Sequence, residues 1–274
     1  MTAEMPVNMQ ASESPEAYCG VSEQFNTIEH FSLHEEDSPQ LAAGRFDIKG
    51  FLETSFLDWP GKVSSVLFLP GCNFRCPFCH NAGLVTEHER YPSLPWVDIK
   101  QRLCRFRGWI DGVVISGGEP TLSPGLEGLI REIKEAGFLV KLDTNGSRPH
   151  IIRDLIGKGL IDQVAMDVKA PLNEDSYSRA AGRPGFLGPV SESLEILASM
   201  DVSYTLRTTV VPEIHSEDDV LTLARQLQNA PEWTLQNFEP QNALDCSLRR
   251  VTPWDSDHFQ KMCARAREVH RGLV

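Results

Sequence analysis

Gly71-Cys72-Asn73-Phe74-Arg75-Cys76-Pro77-Phe78-Cys79-His80-Asn81 places three of the chain's seven cysteines within eight residues, spaced C-x3-C-x2-C. Gly71 and Pro77 interrupt any helix or strand there, so the run is a loop. A loop can turn its thiols onto one metal centre. Thiolates are soft ligands and select zinc, copper(I) or iron–sulfur clusters. A structural zinc site closes with four ligands, often two C-x2-C-type pairs, and no second pair follows here. A cubane on three cysteines instead leaves one iron able to bind a small molecule. Two other readings stay open on spacing alone. One is a Cys3His zinc site from Cys72, Cys76, Cys79 and His80, strained because Cys79 and His80 are adjacent. The other is three free thiols.

Just upstream, Val63 to Leu69 carries five apolar residues in seven and reads as a buried strand delivering the cysteine loop at its C-terminal end. Beyond the loop, helix and strand alternate. A helix is expected from about Leu94 to Phe106 behind a Ser93 cap, and a strand at Val113–Ile115. A helix at Gly125–Ala136 and a strand at Leu139–Leu142 follow. Next come a helix at Ile151–Lys158, a strand at Val164–Val168, and helices at Glu174–Ala181 and Ser191–Ser199. The last elements are a strand at Tyr204–Val211, a helix capped by Ser216, a strand at Trp233–Phe238 and a helix at Trp254–His270. Six strands with crossover helices predict an α/β fold, a partial (β/α)6 barrel, with an open doubly wound sheet as the alternative. In either, the loops after successive strands converge on one end, where ligands bind.

The chain has 274 residues and a net charge of −12. Residues 1–44 hold eight acidic and no basic residues, leaving 26 basic and 30 acidic for the remainder. Residues 1–45 therefore read as a flexible acidic N-terminal extension, and 46–274 as the folded domain. No basic face suggests nucleic-acid binding. No apolar run approaches the ~20 residues of a membrane helix, and no basic segment followed by an apolar core suggests a secretory signal. Seven cysteines, three of them clustered, do not form a disulfide framework, so a reducing cytoplasm is the expected compartment. Cys19, Cys104, Cys246 and Cys263 are scattered and read as structural or surface thiols.

Three further constellations sit at expected strand ends. Ser116-Gly117-Gly118-Glu119-Pro120 combines two permissive glycines with a carboxylate able to accept bonds from an ammonium group. Read alone it is a strand–helix turn. Asp143-Thr144-Asn145-Gly146 and Asp167-Val168-Lys169 are ordinary turn and surface chemistry when isolated. Arg207 lies within the strand Tyr204–Val211 and suits either a salt bridge or a carboxylate ligand.

Together these motifs resemble the radical S-adenosylmethionine (radical SAM) enzymes, whose signature C-x3-C-x-aromatic-C is met with Phe78 as the aromatic. The resemblance implies a [4Fe–4S] cluster on Cys72, Cys76 and Cys79. Its open iron would hold the amino and carboxylate groups of SAM. By the same resemblance, Gly117, Gly118 and Glu119 bind the methionine amino group. Asn145, Asp167 and Lys169 line the ribose and carboxylate region, and Arg207 pairs with the SAM carboxylate. The "DTNG" and "D-x-K" stretches are similar to those of glycyl-radical-enzyme activases. The lead-in Ser55-Phe56-Leu57-Asp58-Trp59-Pro60-Gly61-Lys62 resembles that of anaerobic ribonucleoside-triphosphate reductase activating proteins. That likeness implies one-electron reduction by flavodoxin or ferredoxin, cleavage of SAM to methionine and a 5′-deoxyadenosyl radical, and hydrogen abstraction from a glycine of a partner enzyme. Two features depart from the pattern. No eight-cysteine ferredoxin-like insert lies between Cys79 and Gly117. Phe238-Glu239-Pro240-Gln241 stands where pyruvate formate-lyase activase has a Pro-Tyr-His run, so no histidine contact to SAM carries over. The alternatives are a radical SAM enzyme acting on a small molecule, similar to carboxy-deazaguanine synthase, and a zinc-stabilised module without catalysis.

Overall fold

A computed structural model describes residues 46–274. The acidic extension expected over 1–45 lies outside the described residues. The chain runs β1 (Gly50–Ser55), β2 (Ser64–Leu69), α1 (Ala82–Thr86), α2 (Trp96–Arg105), β3 (Gly112–Gly117), α3 (Leu126–Glu135), β4 (Leu139–Thr144) and α4 (Pro149–Gly157). It continues through β5 (Gln163–Asp167), α5 (Glu174–Ala181), α6 (Leu187–Ser199), β6 (Ser203–Val210), α7 (Glu217–Gln226), β7 (Trp233–Asn237) and α8 (Ser256–Arg267).

The seven strands form one sheet in sequential order, β1 antiparallel to β2 and every later pair parallel. A doubly wound sheet reverses its strand order at a switch point, and no reversal occurs here. The six parallel strands are the expected partial barrel, and the sheet does not close on itself. Right-handed crossovers that always step the same way put the helices on one face.

Side-chain alternation shows the two faces. Leu67, Leu69, Val113, Ile115, Val140, Leu142, Val164 and Met166 join the core beneath the helices. Val66, Phe68 and Val114 point the other way, into a small cluster with Trp59 and Leu84. Period two carries Lys141, Asp143, Asp167, Arg207 and Thr209 onto that second, concave face.

Three expectations are corrected. Gly50–Ser55, upstream of the first expected strand, is itself a strand; its register slips between Leu52 and Ser55, which blurs the alternation that would have marked it. Ser93 is not a helix cap. Its hydroxyl donates to Asp47 and accepts from Lys49, and the helix starts at Trp96 after Pro95. The helix expected from Ser191 begins at Leu187, since Pro189 falls in its first turn, where a missing N–H costs nothing. Ser216 caps α7 as expected, through a reciprocal box with Asp219.

Candidate active site

The cysteine loop leaves β2 through Gly71, whose φ of +77° is left-handed. Its backbone is gripped from both sides. Glu119 N–H donates to Gly71 O at 2.7 Å, Gly118 N–H to Leu69 O at 2.9 Å, and Arg75 N–H to Ala181 O at 2.8 Å. A Cβ on Gly118 would collide with the Gly71 carbonyl, and one on Gly117 with the Leu69 backbone. The two glycines thus let the β3 exit loop lie directly against the cysteine loop, backbone to backbone. Gly118→Ala is expected to push that loop aside at about 1–3 kcal/mol and to lower the iron bound per chain. Unchanged iron content and melting temperature would show that the loops are not wedged together.

Within the loop, Arg75 donates to the Cys72 and Phe74 carbonyls at 2.6 and 2.7 Å. Asn81 donates to Gly117 O at 2.9 Å. The buried Phe78 ring meets His215 edge-on at 6.2 Å. Burial pushes the Cys72 thiol up to about 11 and Cys76 to about 12, and it raises Cys79 too. Such thiols shed their protons only to a metal. No group of three or more His, Cys, Asp or Glu among the described residues converges as a single-ion site. His80 is already engaged with the Glu239 carbonyl at 2.7 Å. The donor set therefore does not suit one zinc ion. Soft thiols spread around one cavity suit a multi-iron cluster, in which each sulfur serves a different iron.

The cavity is lined by Cys72, Cys76, Cys79, Phe78, Gly117, Gly118, Asn145, Asp167, Lys169 and Arg207, which places ten of the eleven expected site residues together. Glu119 is the exception. It is wholly buried, close enough for its charge to act on Cys72. One carboxylate oxygen accepts from Thr121 N–H, Thr121 Oγ1 and Thr144 Oγ1, the other from Asn145 N–H at 2.7 Å. Burial raises its pKa against those bonds. These bonds tie the β3 exit to the β4 exit.

Opposite the thiols, a ladder of charge crosses β4, β5 and β6. Lys141 donates to Asp58 O at 2.8 Å and to Asp143 at 2.6 Å. Arg207 bridges Asp143 at 2.9 Å and Asp167 at 2.8 Å, and Lys169 meets Asp167 at 3.0 Å. Burial pushes both carboxyls up, but the neighbouring cations more than offset it. Asp143 ends below its ordinary range, and Asp167 falls to about 2. Lys169 and Arg207 are raised by the same pairs, against burial. Burial holds Lys141 below its ordinary value despite Asp143. Asp58 also acts on Lys141, so the ladder sets three cations among three carboxylates, with Arg207, Lys169, Asp143 and Asp167 at the cavity.

Sequence reasoning missed Lys141, Thr209 and Gln236, and it named Asp143 only as part of a turn. The signal for Lys141 and Asp143 was two charged residues spaced by two within the strand Leu139–Thr144. It also missed His215, whose Nδ1 accepts from Val211 N–H at 3.0 Å and whose Nε2 donates to the Lys169 carbonyl at 2.8 Å. Nothing in its local sequence marks it.

The family model of the radical SAM superfamily matches residues 66–227. A Methanocaldococcus jannaschii protein provisionally named a glycyl-radical enzyme activating enzyme is 34% identical over 74% of this chain and 85% of its own. The pyruvate formate-lyase-activating enzyme of Clostridium pasteurianum is 27% identical over 75% of this chain and 90% of its own. Among solved structures, TYW1 with a lysine-pyruvate adduct bound superposes with a TM-score of 0.53 at 18% identity, covering 75% of this chain and 73% of its own, a likeness of fold. The match spans the cysteine loop and the β3 to β6 exits that build the cavity, so the chain belongs to the radical SAM superfamily, as an enzyme whose cofactors are a [4Fe–4S] cluster and S-adenosylmethionine.

Proposed function

We propose that this enzyme generates a glycyl radical on a partner protein, and that the partner is an anaerobic ribonucleoside-triphosphate reductase. The observation that carries the activase reading is the 34% identity to a relative named for that activity, extending over most of both chains. The lead-in Ser55–Lys62 supports the choice of partner by its resemblance. When bound, the cluster and SAM supply a one-electron cleavage of the sulfonium that yields a carbon radical able to take hydrogen from glycine. The chain's own residues do the rest. Cys72, Cys76 and Cys79 hold the cluster. The Gly117 and Gly118 backbone borders the space beside it, and Asn145, Asp167, Lys169 and Arg207 form a polar wall that orients SAM. Phe74, Phe78 and Val85 exclude water from the thiol side.

Flavodoxin or ferredoxin is the proposed electron donor and the cytoplasm the proposed compartment. Among the described residues no cysteine is in a disulfide, and no helix is long and apolar enough to cross a membrane. We place the domain boundary at residue 45, with 46–274 as the catalytic unit.

The experiment mixes anaerobically reconstituted protein, SAM, dithionite and purified reductase. It is run with the full chain and with a chain beginning at Phe46. A glycyl-radical EPR doublet on the reductase, with 5′-deoxyadenosine in matching amount, is the expected result. Deoxyadenosine without a radical on the reductase would refute that choice of partner. Loss of the cluster in the shorter chain would move the boundary.

A further inference from the structure

The Asn145 side chain is fixed by its neighbours. Ser147 N–H donates to one end of its amide at 2.9 Å, so that end is the oxygen. The nitrogen end therefore faces Asn73 Oδ1 at 3.0 Å and Cys72 Sγ at 3.7 Å. Asn73 completes the ring by donating to Ser147 Oγ at 2.8 Å. Behind it, buried Glu119 holds the Asn145 backbone N–H. Asn145 is 5% exposed, so the amide cannot swing out to water. The Cys72 sulfur thus receives two N–H groups, this one and that of Phe74 at 3.3 Å.

We propose that Asn145 sets the reduction potential of the cluster by donating an N–H···S hydrogen bond to Cys72. The proposal rests on the reading that the cluster sits on the three cysteines. One-electron reduction from the 2+ to the 1+ state adds negative charge that the ligating sulfurs share. An N–H dipole aimed at one of them favours the reduced form and raises the potential. The site is buried, so the dipole acts in a low dielectric and is weakly screened. The ring Asn145–Asn73–Ser147 supplies what such a device needs: a donor of assigned orientation, held by a carboxylate that does not itself enter the cavity.

The test is a mediated potentiometric titration, read by EPR, on the full-length reconstituted protein without SAM. Iron and sulfide counts on the unaltered protein come first. Failure to load a cluster there sinks the cluster reading, whereas a loaded cluster with an unmoved potential in the variants sinks only the role of Asn145. Asn145→Leu removes the donor and is expected to shift the potential downward. Asn145→Asp keeps an oxygen for Ser147 but replaces the N–H with a charged oxygen, and is expected to shift it further down. Ser193→Ala is the control. Ser193 supports the same loop from α6, donating to Gly146 O at 2.6 Å, without touching the cavity. Its potential is expected to match the unaltered protein. Equal shifts in all three variants, or none in either Asn145 variant, overturn the proposal. Should the Asn145 variants fail to load, the unaltered protein decides. With asparagine side-chain amides labelled with 15N, pulsed EPR of the reduced cluster is expected to show a weak nitrogen coupling, and its absence overturns the proposal.

Discussion

Cys76→Ala is expected to abolish the brown chromophore and all SAM cleavage. Cys76 is the most buried of the three clustered thiols, 6% exposed, and lines the same cavity as the buried Phe74 and Phe78. Water has little room to replace its sulfur as a ligand. A cubane left on Cys72 and Cys79 alone is held by two points and is readily lost. Cys104 provides the comparison, since it is exposed on α2 and does not line the cavity. Cys104→Ala is expected to keep its iron and its 5′-deoxyadenosine yield. Iron and sulfide counts after anaerobic reconstitution, with deoxyadenosine measured under dithionite, check both. Full iron loading of the Cys76 variant would remove that residue from the cluster.

Asp143→Asn is expected to be the most damaging change outside the cysteines. Asp143 is 5% exposed and separates two cations, Lys141 at 3% exposure and Arg207. Arg207 keeps Asp167, but Lys141 loses its carboxylate in a buried site. Breaking one side of a buried pair costs about 3–5 kcal/mol, on the order of 10 °C in melting temperature for a domain this size. The ladder also fixes a pH dependence. Both carboxyls are depressed in the fold, so their contribution is complete above the ordinary carboxylate range. It fades as pH falls from 3.8 toward about 2, where Asp167 protonates. Acid titration of the unaltered protein should show the ladder's contribution lost below about pH 4, and the difference between parent and Asp143→Asn shrinking there. The Asp143→Asn protein should start lower and fall less. A variant melting within about 1 °C of the parent would show that the ladder does not stabilise the fold.

Much of the cavity is legible in the chain because its parts are local in sequence. C-x3-C-x2-C, Gly-Gly-Glu and Asp-x-Lys each lie at the end of an apolar run, and parallel strands gather such ends. Three things were not legible. The destination of the Glu119 carboxylate depends on Thr144 and Asn145, 25 and 26 residues away. The close approach of Gly118 to the Gly71 carbonyl joins loops 47 residues apart. Strand β1 is set by a hairpin register that slips, so its alternation never becomes a pattern. Each of these is a long-range choice, made by packing and not by propensity. Arg207 makes salt bridges to Asp143 and Asp167 and also lines the cavity, and its strand position alone did not show that it does both.

The order in which the strands pair bears on how the protein is made. Each strand finds its neighbour next in the chain, so the sheet can grow as synthesis proceeds from the N-terminus. The cysteine loop cannot keep pace. It emerges among the first elements, yet Arg75 N–H waits for Ala181, His80 for Glu239, and Pro77 O for Asp245 N–H. Until roughly the last helices are translated, Cys72, Cys76 and Cys79 belong to a loop with one wall. Cluster delivery is therefore a late event. A chain stalled before residue 181 would present three ungathered thiols to any metal or oxidant that reached them first.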